Sequence, residues 1–128
     1  MLTSAEAEAA LGRPVFLPPR TEELDLGFGD GFNCAYNSAN QDAGPASVSV
    51  SLLGDQIPRD EWEQAEQEEP DLQEVAGVGE LAFFDERGGT IEVFDQGRWV
   101  SVQMINSTRH SELLALLTDM ARNALERL

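Results

Sequence analysis

One imidazole and one thiol, His110 and Cys34, set the limit on side-chain catalysis in this 128-residue chain. His110 follows Arg109 at the start of the last apolar stretch. Acid–base or metal chemistry through it needs partners that the spacing does not place, so it reads as an exposed residue at a helix start. Cys34 alternates with Phe32 and Tyr36, the pattern of an inert thiol on a buried strand face. Asp25, Asp30 and Asp42 lie in glycine-rich segments that could offer oxygens to calcium, but their spacing matches no EF-hand loop. Gly27-Phe28-Gly29-Asp30-Gly31 lacks the Lys and the helix start of a phosphate loop. Asn106-Ser107-Thr108 has the form of a glycosylation sequon and does better as a helix cap. Asp85 with Glu86, or Glu92 with Asp95, could pair as acid and base, yet adjacent strand residues point to opposite faces and nothing selects one pair. No catalytic residue, metal site or cofactor is assigned. The side chains expected to meet a ligand or partner first are aromatic: Trp99, Trp62 and Tyr36.

Charge narrows the partners. Asp and Glu number 24 against eight bases, all of them Arg, for a net charge of −16, which steers the protein away from nucleic acid and anionic membrane. Eight acids and no base fall between residues 60 and 74, so that stretch is expected to face solvent. Within it Glu61, Glu63, Glu66, Glu68 and Glu69 form an acidic patch suited to a basic partner. With 41% hydrophobic residues, 11 Gly and 6 Pro, collagen, coiled coil and wholesale disorder are excluded. No apolar run approaches the roughly 20 residues of a membrane helix.

The elements that must position these residues follow from periodicity and caps. Thr3-Ser4-Ala5-Glu6 is a capping box that opens a helix over about 4–11, closed by Gly12 and Pro14. Val15 to Leu17 reads as extended, and Glu22 to Gly31 as a polar connection. Phe32, Cys34 and Tyr36, then Val48, Val50 and Leu52, alternate with polar or small residues as two half-buried strands of a hairpin whose loop spans 40–45. Pro58 to Glu69 suits an acidic helix with Trp62 and Ala65 inward. Leu81 to Asp85, Thr90 to Phe94 and Trp99 to Ile105 read as a three-stranded meander. Its turns are Arg87-Gly88-Gly89 and Asp95-Gln96-Gly97. Thr108 to Leu128 carries Leu113, Leu117, Met120, Ala124 and Leu128 at helical spacing. The order α-β-β-α-β-β-β-α predicts a single α+β domain over 1–128, an antiparallel sheet of about five strands with helices packed on it.

The motif order also resembles a known group. It is carried by Leu2-Thr3-Ser4-Ala5-Glu6 with Leu11-Gly12-Arg13-Pro14-Val15, then Phe32-Asn33-Cys34-Ala35-Tyr36, then Gly77-Val78-Gly79-Glu80-Leu81-Ala82-Phe83-Phe84. Val100-Ser101-Val102 and Met120 through Leu128 complete it. Together these resemble the uncharacterised small lipoprotein domains of actinobacteria, whose relatives include extracellular sensor domains of receptor kinases. The resemblance implies a PsbP-like α+β fold without known catalysis, held outside the cytoplasmic membrane by a lipid-modified leading Cys. That Cys, its signal segment and a second Cys to pair with Cys34 are not in this chain. The stretch from Ala5 to Pro19 also resembles the start of exported domains that follow anti-sigma factors. The expected function is a non-enzymatic extracytoplasmic binding or sensing module for an unknown protein or small ligand, touching membrane only through such an anchor. The alternative is a cytoplasmic acidic protein that occupies a basic partner surface.

Overall fold

The computed structural model describes residues 3–11, 15, 19–24, 27, 29–37, 46–69, 71–105 and 112–127. In chain order the elements are α1 (Ser4–Leu11), β1 (Arg20–Leu24), β2 (Gly31–Asn37), β3 (Ser47–Gly54), α2 (Arg59–Gln67), β4 (Gln73–Glu74), β5 (Leu81–Asp85), β6 (Thr90–Asp95), β7 (Arg98–Ile105) and α3 (Leu113–Glu126). Two antiparallel meanders, β1–β2–β3 and β4–β5–β6–β7, join through the β3–β7 ladder into one sheet of order β1-β2-β3-β7-β6-β5-β4. The α+β class and the order of the expected elements hold. The strand count does not: the described residues form seven strands, because β1 and β4 flank the five that alternation reveals. Both are outermost strands with little to bury, so their sequences, Arg-Thr-Glu-Glu-Leu and Gln-Glu, lack the apolar period and read as connection.

Alternation decides what lies on each face. The first face presents Tyr36, Val48, Val50, Leu52, Ala82, Phe84, Ile91, Val93, Val100, Val102 and Met104 to a core closed by Ala7, Ala10 and Leu11 of α1 and by Leu113, Leu117, Met120, Ala121 and Ala124 of α3. Leu11, Ile91 and Leu117 are fully enclosed there, each contributing about 1.5–3 kcal/mol by burial. Cys34, expected on a buried strand face, packs at the margin of this core and is only partly buried.

One carboxylate ties the two helices of this layer together. Glu6 completes the capping box with Thr3, each backbone N–H donating to the other's side chain at 3.0 and 3.1 Å. It also accepts from Asn123 Nδ2 at 2.7 Å and from the Arg127 guanidinium. Partial burial works against its charge, but the bonds from Arg127 and Thr3 prevail and hold the carboxyl below its usual range.

A bulge between Leu52 and Gly54 disturbs the β3–β7 ladder. The chain then crosses to the second face, where Ile57 N–H donates to Gly97 O at 2.9 Å. Gln96 and Gly97, with φ of 52° and 79°, make the two-residue turn between β6 and β7. On the second face α2 lays Trp62 over Phe83 and Phe94, with ring centroids 5.9 and 5.5 Å apart. Ile57, Leu81 and Trp99 finish this smaller apolar cluster.

Candidate functional site

The second face is divided. Its β5–β6 half is roofed by α2, whereas across β2 and β3 it carries Asn33, Ala35, Asn37, Ser47, Ser49 and Ser51, all half-buried. These are the residues that alternate with the core positions, so the pattern that builds the core also lays out this polar floor. One row crosses four strands, with Asn33 opposite Ser51, Ser51 opposite Ser101 and Ser101 opposite Glu92. Ser51 Oγ donates to Asn33 Oδ1 at 2.7 Å, and Ser101 Oγ donates to Glu92 Oε1 at 3.2 Å. At the outer end of the floor a depression of about 350 Å³ is lined by Thr21, Glu22, Asn33, Ala35 and Asn37. A second, of about 700 Å³, is lined by Glu23, Leu24, Gly29, Asp30, Gly31 and Phe32. The two lie along β1.

Where the floor meets the roofed half stands Glu92. Its other carboxylate oxygen, Oε2, takes the Trp99 indole N–H at 2.6 Å. Burial pushes the carboxyl up to about 7; the bonds from Trp99 and Ser101 oppose the rise, and the nearby charges of Glu66 and Asp85 add to it. Glu66, which α2 turns inward, is also raised, by burial first and by Glu69 second. With both Glu92 oxygens engaged by fixed donors, this carboxyl is a joint between the two halves of the face, and it keeps Trp99 at their boundary. Among the described residues no group of three or more His, Cys, Asp or Glu side chains is arranged to hold a metal ion.

The aromatic residues expected at a common surface are separated. Tyr36 is 5% exposed in the first-face core and Trp62 is 3% exposed beneath α2, on the opposite side of the sheet. Both are packed side chains, not surface contacts; Trp99 alone keeps partial exposure. In the acidic patch Glu61, Glu68 and Glu69 are exposed and Glu63 is partly so, but Glu66 is only 8% exposed. It follows Trp62 by one helical turn and shares its face, while Ala65, expected inward, is exposed. Glu92 and Asp95 do not pair as acid and base: Asp95 bonds Arg98 Nη2 at 2.9 Å. Asp85 accepts the N–H groups of Arg87 and Gly88 to shape its turn. Asp30 donates its N–H to Asp55 Oδ1 at 3.0 Å. His110, Asp25, Asp42, Phe28 and Asn106 to Thr108 lie outside the described residues.

Sequence reasoning passed over the polar floor because Ser and Asn on a strand read as ordinary solvent-side residues. The available signal was the run of small, mostly polar side chains at Asn33, Ala35, Asn37, Ser47, Ser49 and Ser51, the outward positions of two neighbouring strands. The fold and floor define an α+β protein with a seven-stranded antiparallel sheet, one face closed by two helices and the other half open. Comparison of the chain with family models, curated proteins and solved structures finds no match.

Proposed function

We propose that this protein is a non-catalytic extracytoplasmic binding or sensing module of the small-lipoprotein type, holding a partner or small ligand on the part of the sheet that α2 leaves open. The supporting observation is the division of the second face, with a polar floor ending in the depression lined by Thr21, Glu22, Asn33, Ala35 and Asn37. Its volume is in the range of small-ligand sites, and the Asn33 and Asn37 amides both donate and accept, which suits a polar ligand. The location and the PsbP-like relationship rest on the resemblance of the sequence alone. Titrating a library of small neutral polar fragments into the ¹⁵N-labelled chain tests the binding reading. Shifts clustered on Asn33, Ala35 and Asn37 support it, and scattered or absent shifts count against it. The intact mass of the endogenous product tests the location: a mass above 14.0 kDa with a lipid adduct supports export, and 14.0 kDa opposes it.

A second reading, an acidic protein that covers a basic partner surface, is favoured by the exposure of Glu61, Glu68 and Glu69 on the outer side of α2. Such a complex would weaken steeply as salt rises.

A further inference from the structure

We infer that the outer edge of β1 is a strand-addition site for an extended segment of a partner protein that carries two consecutive basic residues. This deepens the binding-module reading and rests on it. The sheet ends at β1, whose described pairing is to β2 alone, from Arg20 opposite Ala35 to Leu24 opposite Gly31. An outermost strand leaves the N–H and C=O groups of alternate residues free to take another strand. A bare edge is not by itself a binding site, and here the flanks supply the difference. Glu22 lines one depression and Glu23 the other, the second also holding Asp30. All three acids are exposed.

An added strand sends successive side chains to opposite faces. Two adjacent basic residues placed opposite Glu22 and Glu23 therefore reach one depression each, while the backbone bonds fix the register. This is the division of labour of strand addition, with affinity from the main chain and selectivity from the flanking hollows. The net charge of −16 draws such a segment in and speeds encounter. The same charges disfavour a second copy of the chain as occupant in the register that pairs the whole strand. An antiparallel β1–β1 pair centred on the strand sets Glu22 against Glu22 and Thr21 against Glu23, and like charges directly opposite are destabilising.

The test is an amide-resolved titration of the full chain with a capped peptide of alternating Thr and Val around a central Arg-Arg. A second peptide is N-methylated at the backbone positions that would face β1, and a third carries Glu-Glu at the centre. The expected result is slowed amide exchange and shifts at Thr21 to Leu24, with affinity falling about tenfold or more for the N-methylated peptide. The Glu-Glu peptide and the variant E22K/E23K should lose binding to a similar degree. Both substitutions lie at exposed strand positions, and a thermal melt confirms the variant's fold. Equal affinity of the N-methylated peptide would overturn strand addition. So would absence of any shift at β1, or protection of β1 that grows with protein concentration alone. If the peptide fails while neutral fragments still shift Asn33, Ala35 and Asn37, only this inference falls. If both fail, the binding-module reading falls with it.

Discussion

Replacing Glu92 with Gln tests how the two halves of the second face are joined. The Glu92 carboxyl is raised from its usual 4.5 to about 7, chiefly by burial, a difference worth about 3 kcal/mol between native and unfolded states. A native state that binds this proton more tightly than the unfolded chain is favoured at low pH. The full contribution is therefore present below 4.5, declines as pH rises, and is gone above about 7. Glu92→Gln keeps the size of the side chain and one acceptor for Trp99 or Ser101, but carries no charge to desolvate. Near pH 5 the variant and the natural protein should agree within about 1 kcal/mol, since Glu92 is then neutral in the native state and the pH stands only slightly above the value of 4.5 at which it ionises in the unfolded chain. Near pH 8 the variant should be more stable by roughly 2–3 kcal/mol, with its melting temperature raised on the order of 10 °C. Urea unfolding at several pH values, followed by circular dichroism, gives the comparison. Carbon NMR of the Glu side chains gives the titration of Glu92 directly. A Glu92 carboxyl that titrates near 4.5, or a variant no more stable than the natural protein at alkaline pH, would show that burial does not hold this proton. Glu66 is raised in the same direction, so a weaker residual slope should survive in the variant.

Other perturbations probe other parts of the fold. Among the described residues Trp62 Nε1 is buried without a hydrogen-bond partner, so Trp62→Phe, which keeps the ring against Phe83 and Phe94, should change stability by no more than about 1 kcal/mol, whereas Trp62→Ala should cost about 3–5 kcal/mol in urea unfolding. Glu6→Ala removes the carboxylate half of the capping box and the bonds from Asn123 and Arg127, and should cost about 1–3 kcal/mol at neutral pH. Because the Glu6 carboxyl is held below 4.5 in the native state, this contribution is present above 4.5 and should fade as pH falls through the lowered value. Gln96 holds a φ of 52° in the β6–β7 turn, so Gln96→Asn should stabilise by roughly 0.5 kcal/mol and Gly97→Ala should destabilise by about 1 kcal/mol, both read from thermal melts.

Elements that close the core announce themselves in the sequence. The Thr3–Glu6 box marks the start of α1, the Leu113–Leu117–Met120–Ala124 stripe gives α3, and strict alternation gives β2, β3 and the β5–β7 meander. β1 and β4 stay hidden because a two-state polar pattern cannot separate an outermost strand from a loop. Both pair with a strand that alternation does reveal, β1 with β2 and β4 with β5. The inward turn of Glu66 is hidden for a related reason. Hydrophobicity picks Ala65 for the inner side, but the helix places Glu66 one full turn after Trp62, on the side that faces the sheet. The raised carboxyl of Glu92 depends on long-range facts: its burial in the folded chain outweighs the bonds from Trp99 and Ser101, and the neighbouring Glu66 and Asp85 add to the rise. The polar floor was visible as residues and invisible as a surface, since its openness depends on where α2 ends.

The claim that ligands are held on the open half of the sheet is tested most directly by filling the depression. Ala35 lies half-buried between Asn33 and Asn37 in its lining, so Ala35→Trp should fill much of that space while leaving the first-face core untouched. The measurement is the fragment titration repeated on this variant beside the natural protein, with a thermal melt to confirm that both are folded. A folded Ala35→Trp chain should lose the shifts at Asn33 and Asn37. Equal binding by both chains, or shifts that gather on Glu61, Glu68 and Glu69 in both, would contradict it.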